Sequence, residues 1–162
     1  MPKQTPASDS QQFLCIEVSN SLEVMLSTQE LTEIITLDPT KILQIPDMQA
    51  AVAGIFNWQG EILWLIDIAY MMGFSPILSL RFYEQQKCRV LKVKYRGDNI
   101  GLLVQKTGDL TSIETKKINS LAPQNISVLI KKCTKGNCQN QAGETLMILD
   151  IEAIIQNIEL RL

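Results

Sequence analysis

The sequence predicts a mainly β fold, built as small barrels or a sandwich from two similar units that share one apolar interface. Three observations carry this. Short apolar or alternating runs of strand length are separated by polar turns. One of these runs returns in the second half of the chain with the same pattern. Helical pieces are few and brief, which leaves strands to form most of the core. With 162 residues, 46% apolar and 20% charged, the chain suits one ordinary domain or two small ones sharing a core. It is too apolar and too weakly charged to be disordered.

The elements follow in order. Phe13 to Val18 and Val24 to Leu26 flank the polar turn Ser19-Asn20-Ser21 and read as a β-hairpin. Leu31-Thr32-Glu33-Ile34 reads as a further short strand. After an irregular stretch, Ile62-Leu63-Trp64-Leu65-Ile66 is the apolar run of a buried strand, ending at Asp67-Ile68. A short helix is predicted over Ile68 to Met72. Asp67 stands at its N-cap, where a carboxylate accepts bonds from the first free backbone N–H groups.

The second unit repeats this order. Val90 to Tyr95 and Ile100 to Val104 form a hairpin around Arg96-Gly97-Asp98-Asn99. Asp109-Leu110-Thr111-Ser112-Ile113 echoes Glu30-Leu31-Thr32-Glu33-Ile34 at an offset of 79. Gly143-Glu144-Thr145-Leu146-Met147-Ile148-Leu149-Asp150-Ile151 echoes Gly60-Glu61-Ile62-Leu63-Trp64-Leu65-Ile66-Asp67-Ile68 at an offset of 83. Asp150 caps a second predicted helix, Ile151 to Asn157. Units of this size are marginal alone, so they are expected to pack on each other. The repeat spans about 13–80 and 88–158, within a domain at 13–162. Residues 1–12, polar and with two prolines, read as a disordered tail. Ser127 to Gly143 is polar and irregular, and its contacts cannot be assigned from the pattern.

Composition removes several functions. There is no histidine, so a Ser-His-Asp triad, a Cys-His pair, a His-ligated metal and His phosphotransfer are excluded on this chain. A lone Cys nucleophile would lack its activating base. Asp67 and Asp150 are accounted for as helix caps, and no catalytic residue is assigned. Cys15, Cys88, Cys133 and Cys138 lack the CxxC spacing of zinc knuckles and are expected to be free thiols in a reducing cytoplasm. No cofactor and no metal is expected. The N-terminus has no apolar h-region. Ile62 to Leu80 has the length of a membrane span and one charge, Asp67. Gly73, Ser75 and Pro76 break it, so no direct membrane insertion is expected.

The segment Val52-Ala53-Gly54-Ile55-Phe56-Asn57-Trp58-Gln59-Gly60-Glu61-Ile62-Leu63-Trp64-Leu65-Ile66-Asp67-Ile68 resembles the central signature of CheW-like domains, roughly G-x-x-N-x-R-G-x-x-x-P-V-I-D-L. Leu31-Thr32-Glu33-Ile34 resembles the family's V-x-E-I segment. Ile100-Gly101-Leu102-Leu103-Val104 resembles its G-L-x-V-D segment, and Leu146 to Ile154 its closing L-L-D-x-x-x-L. The likeness covers nearly the whole chain after the tail. It implies two intertwined five-stranded, SH3-like β-barrels on a shared apolar core, with short helices. It also implies a non-enzymatic adaptor that couples the cytoplasmic tip of a methyl-accepting chemoreceptor to the regulatory domain of a CheA-type histidine kinase. Such adaptors serve chemotaxis, phototaxis or type IV pilus motility. They sit in the cytoplasm at receptor arrays beneath the inner membrane, where kinase and adaptor domains meet end to end in rings.

The departures are Gln59 for the family's Arg, Trp64 for its Pro, Gln105 for its Asp and Ala69 for a basic residue. Gln59 replaces a charge-assisted bond with a neutral one. These changes fit a divergent adaptor with dedicated partners. The resemblance marks Leu31, Glu33, Ile34, Ile35, Gly54, Asn57, Trp58, Gln59, Gly60, Leu102 and Val104 as partner-binding candidates. Each has a structural alternative. Gly54 and Gly60 suit a close backbone approach and a hairpin turn. Asn57 suits a local backbone bond. Trp58 is either a packing residue or an exposed interface anchor. Leu31, Ile34 and Ile35 either bury in the barrel or border a groove that receives a helix.

Charge is unevenly spread along the chain. Residues 1–80 hold two basic and nine acidic side chains, net −7; residues 81–162 hold 13 and eight, net +5. Opposite ends of this kind would favour a head-to-tail contact that closes into rings or extends into filaments. The competing function is a nucleic-acid-binding small β-barrel protein. It draws on Lys92, Lys94, Arg96, Lys116, Lys117, Lys131, Lys132 and Lys135. Few aromatics interleave that set, and the net charge of −2 is wrong for a generic nucleic-acid binder.

Overall fold

In the computed structural model, which describes residues 9–78 and 86–158, ten strands form two five-stranded sheets. The first half supplies β1 (Ser10–Ser19), β2 (Leu22–Ser27), β3 (Leu31–Leu37), β4 (Val52–Trp58), β5 (Glu61–Asp67) and helix α1 (Ile68–Met71). The second supplies β6 (Cys88–Tyr95), β7 (Asp98–Val104), β8 (Lys106–Glu114), helix α2 (Val128–Lys131), β9 (Thr134–Gln139), β10 (Thr145–Leu149) and helix α3 (Ile151–Ile158). The order of five strands and a closing helix is the same in the two halves, as the repeat predicts, while α2 has no α-helical counterpart in the first half.

The halves do not fold separately. One sheet runs β8-β1-β2-β10-β9 and the other β3-β6-β7-β5-β4. Each barrel therefore takes its hairpin from one repeat and its remaining three strands from the other. Hairpin β1–β2 pairs with β8 on one side and, in parallel, with β10 on the other. Hairpin β6–β7 does the same with β3 and β5. This exchange gives the intertwined two-barrel architecture, and the two sheets have corresponding strand orders under the repeat.

Strand parity separates the faces. In β1, Leu14, Ile16 and Val18 belong to the large apolar core, together with Val24 and Leu26 of β2. Phe13 and Met25, of opposite parity, belong to a second cluster with Cys138, Leu146 and Ile148, which fills the first barrel. The large core also holds Leu91, Leu102, Ile66 and Ile100 of the second barrel. One contiguous layer thus joins the barrels, and neither unit buries its apolar surface alone.

Strand β1 starts at Ser10, three residues before the predicted start of the domain. Ser10, Gln11 and Gln12 are exposed, but they pair with Glu114, Ile113 and Ser112 of β8. Backbone pairing, invisible to a hydrophobicity pattern, extends the strand. Residues 1–8 of the predicted tail lie outside the described residues. In the stretch from Ser127 to Gly143 the structure places α2, capped by the Ser127 hydroxyl accepting from Ile130 N–H at 3.2 Å, and β9. Lys135, Gly136 and Asn137 hide strand β9 in the sequence pattern; its backbone pairs with β10 and is bridged to Asn119 on its outer edge. Among the described residues no helix is long and apolar enough to cross a membrane.

Charge is redistributed by the exchange. Among the described residues, 9–28 and 105–158 form the first barrel and its helices with six basic and eight acidic groups; 29–104 hold six and seven. The opposition between sequence halves does not become an opposition between barrels, because acidic first-half strands lie beside basic second-half strands.

Candidate functional site

The candidate residues converge on the second barrel. Two neighbouring rows cross its sheet. One runs Glu33, Lys92, Gly101, Leu65, Gly54 and the other Ile34, Leu91, Leu102, Ile66, Val52. They face opposite ways. On the second row Leu91, Leu102 and Ile66 are fully buried, while Ile34, on edge strand β3, is 44% exposed. Ile34 therefore lies on the rim of the layer between the barrels.

Strands β3 and β4 are the two edges of this sheet, so no backbone ladder joins them. A side-chain bond does: the Trp58 indole N–H donates to Glu33 Oε2 at 2.9 Å. Trp58 also packs against the core and tilts on Phe56, ring centroids 6.4 Å apart. Beside it Glu61 accepts from Asn99 at 2.6 Å and pairs with Lys92 at 3.0 Å. The Asn99 amide first, then Lys92, holds the Glu61 carboxyl below the usual carboxylate range. These polar groups close one end of the barrel around an apolar interior.

The β4–β5 hairpin projects from that end. Gln59 and Gly60 both have positive φ, 52° and 83°, as a two-residue type I′ turn requires. Asn57 Oδ1 accepts the Gly60 N–H at 2.9 Å and fixes the turn. Gln59 is exposed at the tip. Gly54 is required by space as well as by its φ of 146°: a Cβ there would lie 2.4 Å from the Leu43 carbonyl oxygen.

The candidate list therefore divides. Ile34, Asn57, Gln59 and Gly60 are exposed around the hairpin, with Leu31, Glu33 and Trp58 half-buried behind them. Ile35, Leu102 and Val104 are at most 1% exposed and Gly54 is buried; in this fold their side chains pack the core and offer no contact surface. The V-x-E-I and G-L-x-V likenesses mark these strands but not which of their faces is buried. Ile62, 52% exposed on β5, was not among the candidates; its place at the start of an apolar run hid it. Tyr70, Val128 and Leu129 are further exposed apolar residues that no motif pointed to.

The duplicated aspartates act as caps but differ in depth. Asp67 is 2% exposed and accepts from Tyr70 N–H at 3.0 Å and Ile77 N–H at 2.7 Å. Burial pushes its carboxyl up, while those backbone bonds oppose the shift. Asp150 is half-buried and accepts from Ala153 N–H at 3.1 Å. No disulfide joins the four cysteines among the described residues. Burial pushes Cys15 and Cys133 up to about 11, with Glu23 adding to the shift at Cys15, and raises Cys138. Among the described residues no cluster of Cys, Asp and Glu is placed to hold a metal.

The basic set considered for nucleic acid is distributed over both barrels. Lys92, Arg96, Lys116 and Lys135 are engaged by Glu61, Glu152, Glu114 and Glu30. Half of that set is thus neutralised locally, which does not favour a phosphate-tracking groove.

The two sheets and the braced, exposed hairpin define a two-barrel β domain. The chain belongs to the CheW-like domain family, whose model matches residues 12–159. It is 25% identical over 125 residues to the chemotaxis protein CheW of Thermotoga maritima, covering 77% of this chain and 76% of that one. It is 25% identical over 135 residues to the chemotaxis protein CheV3 of Helicobacter pylori, covering 83% of this chain and 42% of that longer protein. The crystal structure of the scaffolding protein TtCheW from Thermoanaerobacter tengcongensis shares the fold, with a TM-score of 0.72 over 90% of this chain and 92% of that one at 16% identity. The protein is accordingly a CheW-like adaptor or scaffold of chemotaxis signalling.

Proposed function

We propose that this protein links the cytoplasmic tip of a methyl-accepting chemoreceptor to the regulatory domain of a CheA-type histidine kinase, working beneath the inner membrane without catalysis of its own. The observation that carries this reading is the grouping on one barrel of an exposed, pinned hairpin tip and the rim residue Ile34. The hairpin offers neutral Gln59, and Ile34 borders the layer between barrels, where an apolar helix could lie. The pathway serves chemotaxis, phototaxis or type IV pilus motility. The same reading includes a heterologous, head-to-tail contact with a kinase domain of the same fold, as in a ring.

Titration calorimetry with purified partners tests this. The kinase regulatory domain and a receptor cytoplasmic fragment should each bind in the micromolar range or tighter. Ile34→Asp should weaken one of them at least about tenfold, because it buries a charge in an apolar contact. Binding at the neutral hairpin should change little between about 50 and 500 mM salt. Failure of the folded protein to bind either partner would refute the reading.

A further inference from the structure

We propose that the Trp58–Glu33 bond is a latch between edge strands β3 and β4 of the second barrel, and that it makes the hairpin tip and the β3 rim one preformed surface. Glu33 and Trp58 are positioning residues; Ile34 and Gln59, next to them in the chain, are the groups presented. The identity of the partner rests on the function proposed above, but the latch does not.

Three observations carry it. Strands β3 and β4 end the sheet β3-β6-β7-β5-β4; a backbone bridge from Leu43 to Ile55 holds the outer edge of β4, but no ladder joins β3 itself to β4. The indole-to-carboxylate bond joins the two strands at 2.9 Å between residues 25 apart in sequence. Both partners are half-buried, where a charge-assisted bond is screened less than at the surface. The family resemblance marks Glu33 as a contact for another protein; here its Oε2 is occupied from within. The first barrel provides a comparison. At the repeat offsets of 79 and 83, Ser112 stands for Glu33 and Gln141 for Trp58; among the described residues no side-chain bond joins these two, and Asn140 beside Gln141 accepts from Ala142 and Glu144 N–H within its own hairpin. The latch is thus a property of one barrel, and it makes the corresponding ends different.

The surface so held has a definite chemistry. Ile34 is 44% and Ile62 52% exposed, and Asn57 and Gln59 are neutral. The nearby charges, Glu33, Glu61 and Lys92, are each engaged within the barrel. A partner that fits it presents apolar side chains and neutral hydrogen-bonding groups.

Native-state hydrogen exchange on the full chain tests the latch without any partner. Segments 31–37 and 56–62 are followed together, with 137–145 of the first barrel as the internal control. Trp58→Phe keeps a ring but removes the N–H; Glu33→Ala removes the acceptor. Each should speed exchange in both segments about tenfold, the factor one hydrogen bond to a charged group accounts for. The control segment should not change, and the double variant should be no faster than the faster single one. Glu33→Gln keeps an acceptor oxygen and should restore most of the protection when Trp58 is present, and none when it is Phe. Acceleration confined to one segment, additive effects in the double variant, no rescue by Gln, or equal acceleration of the control would each overturn the proposal. Calorimetry with the kinase regulatory domain then separates the two ideas: a latch seen by exchange with no binding refutes the partner, not the latch.

Discussion

Asp67→Ala should destabilise the protein far more than Asp150→Ala, although the two aspartates occupy matching places in the repeat. Asp67 is buried and receives two backbone N–H groups, from Tyr70 at 3.0 Å and Ile77 at 2.7 Å. Truncation leaves both donors without an acceptor. Each buried, unsatisfied donor costs about 1–3 kcal/mol. Relief of the carboxylate's own desolvation offsets part of that, so a net loss of about 3 kcal/mol is expected. Asp150 is half-buried and caps one N–H, Ala153, for which a loss of about 1 kcal/mol is expected. Urea unfolding at pH 7, with the slope checked for constancy, measures both. In thermal melts the larger loss corresponds to a drop of about 10 °C for a chain of this size. Losses equal to within about 0.5 kcal/mol would refute the reasoning, since they would mean that the Ile77 bond contributes nothing. A pH series adds a signed check. Burial raises the Asp67 carboxyl above its ordinary 3.8, so between the unfolded and folded values the native state holds more protons. That contribution to stability is present below the unfolded value and falls as pH rises through the folded one. Asp67→Asn removes it, so the stability of the wild type relative to this variant should be greater at about pH 4 than at pH 7.

Three further outcomes are expected. Gly54→Ala forces a Cβ toward the Leu43 carbonyl oxygen at a φ of 146°; it should cost about 3 kcal/mol in urea unfolding by backbone strain and overpacking, whereas Gly143→Ala, where a Cβ meets open space, should cost only the φ strain. Leu102→Ala should cost about 2–5 kcal/mol and impair partner binding only in proportion to the unfolded fraction, because Leu102 is fully buried. Cys15, half-exposed with its thiol pushed up to about 11, should be alkylated slowly at pH 8, about tenfold faster per pH unit above it, while Cys133 and Cys138 should react only on unfolding.

Much of the fold could be read directly from the chain. Apolar parity located the hairpins, because the β period fixes which residues can share a face. The caps followed from Asp before a short apolar helix, and a hairpin turn at Gly60 from the glycine itself; that Trp58 ends the strand before it did not. What misled was local polarity: Ser10 to Gln12 and Thr134 to Gln139 lack an apolar pattern, yet both are strands because their backbones find ladders. At the candidate site, chain position gave the strands but not the faces, so Ile35, Leu102 and Val104 were grouped with Ile34 and Gln59, from which burial separates them.

By itself, then, the amino-acid sequence determined the duplication, the mainly β class, the absence of histidine chemistry and the family's central motif. Those depend on residue type and spacing. The tertiary structure alone decided how the repeats exchange hairpins, because strand pairing is a contest between backbone edges that carry no residue-specific label. That exchange erased the charge opposition of the sequence halves. It also brought Glu33 to Trp58 across 25 residues, and buried Asp67 more deeply than its twin Asp150. Such differences arise from what packs against a residue, and two similar stretches of sequence acquire them when their surroundings differ.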